Sequence, residues 1–242
     1  ESRSEDEQAL YLRAKMLLAL AMDYGSMERL TDALDAYQTA VTTADKLCEK
    51  PTTNGLEYRS LRWRIRYSYC FSLQKSGRLD DAICELRIAV PLIENDLQKA
   101  PDDKALMGQL SNVLKALGEF EEQVGDVSHA RSHFQRAFEL LGIQVGEDLQ
   151  LSGPIAEAHI ESLRRDGFLR NGGNFLIALA FRQNNPELQI ALLRQAMSIA
   201  RSAAVQDPVK SVRHKLAFEL GIFAGYLHRV GSLEEALQIE QE

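Results

Sequence analysis

The stretch VLKALGEFEEQVGDVSHARSHFQRAF, residues 113–138, decides the fold. It reads as a good helix former, yet Gly118 interrupts it and Gly125 follows seven residues later. Beyond Gly125, Ala130, Phe134 and Ala137 fall on one stripe of a second helix. A glycine inside a helix costs about 1 kcal/mol relative to alanine. Its position therefore calls for a compensating contact.

The same skeleton recurs along the chain. FSLQKSGRLDDAICELRIAV carries it through Gly77, Ala82, Leu86 and Ala89. LALAMDYGSMERLTDALDAYQTAV carries it through Leu20, Ala21, Tyr24, Ala33, Tyr37 and Ala40. Near the end it returns as Leu220, Phe223, Ala224, Leu227, Gly231 and Ala236. The anchors Ala33, Ala82 and Ala130 are about 48 residues apart, and repetition at that spacing is the mark of a stacked array. Each unit reads as two antiparallel helices. The first closes at the later glycine in a left-handed conformation. The second starts at once, as at Ser232 with Glu235 three residues on. Ala21, Cys70, Gly118 and Ala224 occupy equivalent points of the first helices, where small side chains let the two helices of a hairpin approach. The pattern predicts helices over 5–24, 28–49, 55–76, 79–98, 102–124, 127–143, 154–183 with a break near 167–173, 186–206, 208–230 and from 232 onward. The prolines are expected where helices end.

This pattern resembles the tetratricopeptide repeat (TPR) family, on Leu114, Leu117, Gly118, Gly125, Ala130, Phe134 and Ala137. The period is longer than the family's usual one. Arg66 stands where the family has a bulky apolar residue, so Trp63 is expected to pack there while the arginine stem snorkels. The long period and the segment AAVQDPVKSVRHKLAFELGIFAGYLHRVGSLEEAL resemble helical repeat regions of some bacterial serine/threonine kinases and related signalling proteins. The resemblance implies an all-α solenoid of about five hairpins, or about ten helices, in a right-handed superhelix. One array is expected across 1–242, with units near 5–50, 55–99, 102–145, 152–206 and 208–242, as a fragment of a larger protein. The fourth unit fits worst, because Gln189 replaces its anchor alanine.

Composition narrows the function. A net charge of −7 argues against a general nucleic-acid binder. The longest apolar runs, MLLALAM and FLIALAF, are far too short to span a membrane. Three cysteines without a C-x-x-C pair favour a reducing, cytoplasmic setting. Asp126, His129 and His133 share a helical face, but a solvated turn explains them better than a metal site. Glu119, Glu121 and Glu122 read as a solvated helix end rather than acid–base machinery. No metal, cofactor or catalytic residue is expected.

In the superhelix that the resemblance implies, the first helices line a concave groove. Its positions are Lys15, Leu18 and Met22, then Arg64, Tyr67, Phe71 and Gln74, then Asn112, Lys115 and Glu119. Arg59, Arg62, Arg64 and Arg66 make YRSLRWRIRYSYCF a basic, aromatic helix in an acidic chain. Either Tyr67 and Phe71 are core, or they form a hot spot for a protein or peptide with acidic and apolar groups. The expectation is a non-catalytic interaction scaffold. The alternatives are a sensor module binding a small effector or peptide, and self-association through terminal repeats.

Overall fold

The computed structural model describes residues 2–49, 55–165, 174–206, 210–229, 236, 238 and 239. Among the described residues all regular structure is helical: α1 (Ser2–Ser26), α2 (Leu30–Cys48), α3 (Gly55–Lys75), α4 (Leu79–Lys99), α5 (Lys104–Gln123), α6 (Val127–Leu140), α7 (Glu157–Arg165), α8 (Asn174–Ala180), α9 (Pro186–Gln206) and α10 (Lys210–Arg229). The chain divides into two compact units, Glu1–Ala137 and Phe138–Glu242.

The first unit holds three helix hairpins, α1/α2, α3/α4 and α5 with α6 as far as Ala137. Each hairpin turns on one residue with positive φ: Glu28 at 59°, Gly77 at 80° and Gly125 at 83°. In each turn the next amide donates back to the first helix, Arg29 to Tyr24, Arg78 to Leu73 and Asp126 to Glu121, at 2.8–2.9 Å. This Schellman closure satisfies carbonyls that the helix end would otherwise orphan. The expected stripe is the core. Ala33, Ala40, Ala82, Leu86, Ala89, Ala130, Phe134 and Ala137 are all fully buried.

Gly118 gains its compensating contact here. A Cβ at this position would lie 3.0 Å from the Ala130 carbonyl oxygen and 3.0 Å from the Phe134 ring. Ser111 adds a 2.7 Å hydrogen bond to the Ala137 carbonyl across the same pair of helices. Hairpins stack in order, with α2 on α3 and α4 on α5.

Two expectations change. Pro91 lies inside α4 rather than at a helix end. Arg66 does not snorkel: its guanidinium is buried and bonds both Asp45 of α2 and Glu85 of α4. A cation with carboxylates on two flanking helices loses its reason to reach for water. Trp63, three residues earlier, is buried.

In the second unit, α8 packs on α9 and α9 on α10. Within the expected helix over 154–183 the described residues include α7 and α8, and the expected break at 167–173 lies outside the described residues. So does the Ser232–Glu235 capping box. Gln183 is buried and ties the preceding loop down. Its amide donates to the carbonyls of Leu149 and Leu179, and its carbonyl accepts from the Leu151 amide at 2.8 Å. Gln189, at the anchor position of the fourth unit, accepts from the Tyr226 hydroxyl. Ala196 and Leu193, its matching stripe, are buried.

Candidate interaction surface

The residues read as a groove fall into distinct environments. On α1, Lys15 and Met22 are exposed while Leu18 is buried. Lys15 holds its ammonium 5.1 Å from the centre of the Tyr11 ring. On α3, Arg64 is exposed, whereas Tyr67, Phe71 and Gln74 are half-buried. On α5, Asn112 and Glu119 are half-buried and Lys115 is buried to its head, which donates to Glu119 at 2.9 Å.

The two aromatic residues are committed to packing. Tyr67 meets Phe71 edge-on at 5.2 Å, and Phe71 meets Phe120 of the next hairpin at 5.8 Å. Burial pushes the Tyr67 hydroxyl well above the ordinary tyrosine pKa, and it does the same to the Cys70 thiol. Neither group is a nucleophile at neutral pH. Gln74 donates to Gln123 of α5 at 3.1 Å, a polar tie between the same two hairpins.

The arginines of α3 separate into two classes. Arg59 bonds the fully buried Asp96, Arg62 bonds Asp45, and Arg66 bonds Asp45 and Glu85. These three cations are neutralised within the hairpin stack and are not offered to a ligand. Arg64 alone of the four is exposed, and it makes no ion pair among the described residues. Sequence reading missed the carboxylates that take the other three. Asp45, Glu85 and Asp96 sit on α2 and α4, and helical phase alone does not say which of them faces α3.

Asp126, His129 and His133 are not brought together. His129 bonds Asp126 at 2.8 Å, which holds that carboxyl below its ordinary pKa. His133 turns instead to Glu121, 2.6 Å away. Glu121 is the correction here. It is fully buried, not solvated, and takes Arg87 of α4 at 2.8 Å as well as His133. The acid at a helix end thus becomes an ionic tie between hairpins two and three. Glu122, by contrast, is exposed. Among the described residues no group of three His, Cys, Asp or Glu side chains could hold a metal ion, and no helix is long and apolar enough to cross a membrane.

No protein-family model matches the sequence, and no curated protein matches it. Solved structures do. A putative kinesin light chain from Podosopora anserina, with nearly identical TPR-like repeats, aligns over 95% of this chain and 92% of its own. Its identity is 13% and its TM-score 0.51, a likeness of fold. A de novo designed helical repeat protein (96% of this chain, 97% of its own, 16% identity, TM-score 0.33) and yeast Tom70 (93%, 67%, 11%, 0.28) superpose too loosely to define it further. With αL-closed hairpins, an alanine-anchored core and this likeness together, the fold is a helical repeat of the TPR type.

Proposed function

We propose that the chain is a non-catalytic interaction scaffold whose first helices receive a partner protein or peptide bearing acidic and apolar groups. The carrying observation is the row formed by Lys15 and Arg64. They stand 49 residues apart at the same register of successive hairpins, both exposed and both without an ion pair among the described residues. Every other arginine of α3 has a carboxylate. Asn112 continues the row on α5, although one of its amide protons goes to the Gly108 carbonyl. Two cations without a carboxylate partner, one repeat apart, favour a ligand with two acidic groups, and the flanking Met22 supplies apolar surface. A cytoplasmic setting belongs to the same proposal, since Cys48, Cys70 and Cys84 are all unpaired thiols.

A panel of fluorescein-labelled peptides with paired glutamates flanking leucine or tryptophan tests this by anisotropy. At least one should bind saturably, with affinity falling as salt rises. The double variant Lys15→Glu/Arg64→Glu should lose at least ~1.4 kcal/mol of binding, a tenfold change, and melt as the parent does. No binding across the panel, or binding that ignores the charge reversal, would overturn the proposal.

A further inference from the structure

The outward face of α1 carries an apolar stripe that is exposed among the described residues. Leu12, Met16 and Leu20, spaced one turn apart, are 48%, 72% and 41% exposed. The turn residues Glu28, Gly77 and Gly125 set the register between hairpins. In that register the stripe corresponds to Leu61, Ile65 and Tyr69 of α3, and its last two members to Val113 and Leu117 of α5. All five of those side chains are 3% exposed or less.

Both of those helices pack on the preceding hairpin. α3 packs on α1 and α2, and α5 packs on α4. Tyr69 stacks on Tyr37 of α2 at 5.5 Å, with its hydroxyl 3.2 Å from the Gln38 side chain. The charges keep the same register. Arg62 of α3 donates to Asp45 of α2 at 2.5 Å, and the matching residue of α1 is Arg13. Arg13 is exposed and makes no ion pair among the described residues.

Half of a hairpin–hairpin interface is therefore present on α1, both its apolar stripe and its cation. We infer that this face docks an amphipathic helix of a partner protein with the chemistry that α2 shows to α3. Such a helix carries an apolar or aromatic stripe, and a carboxylate about two turns beyond it toward the C-terminus, as Tyr37 and Asp45 are placed in α2. The site is separate from the Lys15/Arg64 row. Lys15 and Met16 are sequence neighbours and so lie about 100° apart around the helix.

A fluorescein-labelled peptide with the sequence of residues 29–49 is the probe, titrated against the full chain by anisotropy. Saturable binding is expected, weakened at least tenfold by Met16→Asp and at least threefold by Arg13→Glu. Lys15→Glu should leave it unchanged, which separates this site from the row proposed above. Both variants sit at exposed positions, and circular dichroism should show parental helicity and melting. Absence of saturable binding, or binding that Met16→Asp and Arg13→Glu do not weaken, overturns the inference. Sedimentation of the unmixed chain tests the same face independently, and a monomer is expected. A dimer that Met16→Asp dissolves would assign the face to a second copy and overturn the partner helix.

Discussion

Glu28 occupies the turn position that Gly77 and Gly125 hold in the next two hairpins, and at φ 59° it is not built for it. An L-residue in the left-handed region costs roughly 1–2 kcal/mol, because its Cβ crowds the following carbonyl. Glycine avoids that crowding but gives up more freedom on folding. Glu28→Gly should therefore stabilise the chain by about 0.5–1 kcal/mol in urea unfolding. A loss of stability would show that the glutamate side chain supports the turn. The next residue in each turn shows how loosely sequence binds geometry. Arg29 pairs with Asp32 and Arg78 with Asp81, whereas in the same slot Asp126 bonds His129, the carboxylate now coming first. All three turns carry a polar contact spanning three residues, with the carboxylate at either end.

Between two helices, the deciding quantity is how near their axes can come. At Gly118 the added Cβ meets the Ala130 carbonyl oxygen at 3.0 Å, and a backbone atom cannot swing aside as a flexible side-chain end can. Gly221, also within a helix, has nothing within 4 Å of its added Cβ. The same substitution should thus have opposite signs at the two sites. Gly118→Ala should destabilise by about 1–3 kcal/mol through overpacking. Gly221→Ala should stabilise by up to about 1 kcal/mol through helix propensity alone. Thermal melts of both variants check this, and a Gly118→Ala protein as stable as the parent would remove the close approach as the reason for that glycine. Helix propensity also failed as a guide at Pro91, which α4 accommodates in its interior although proline removes a donor there.

Across the first unit, ion pairs with at least one buried member join elements that are distant in sequence. Arg66 reaches Asp45 in the first hairpin and Glu85 in its own, with only 6% of its side chain exposed. Arg87 and Glu121 join the second hairpin to the third. Removing one member of such a cluster leaves charge in the interior without a partner, at about 3–5 kcal/mol for a fully buried pair. Asp45 keeps 31% of its side chain in water, so the lower end of that range applies. Arg66→Ala should cost about 3 kcal/mol in urea unfolding of the full chain. Arg78→Ala breaks a solvent-exposed pair and should leave the unfolding midpoint close to that of the parent. Equal effects from the two would show that the buried cluster contributes no more than a surface contact.

The hairpin array could be read from sequence because its causes are local. Alanine anchors at a fixed period, glycines at turns and small residues where helices cross act within one hairpin, and Ala33, Ala82 and Ala130 are buried where that logic places them. A repeat also reports on itself, since one unit predicts the next. The candidate surface was legible only as far as register goes: it put Lys15 and Arg64 on one row. It could not say that Arg59, Arg62 and Arg66, on the same helix, would be neutralised by Asp96, Asp45 and Glu85. It did not reveal that Glu121 would be buried beside Arg87 and His133 while Glu122 stays in water. Nor did it show that Gln183 would pin a loop more than thirty residues earlier. Helical period tells which face a side chain is on, but the burial of a charge depends on what stands opposite. That was decided only when α2, α4 and α6 closed over the first helices, because a carboxylate loses its water only if a cation on another element replaces it.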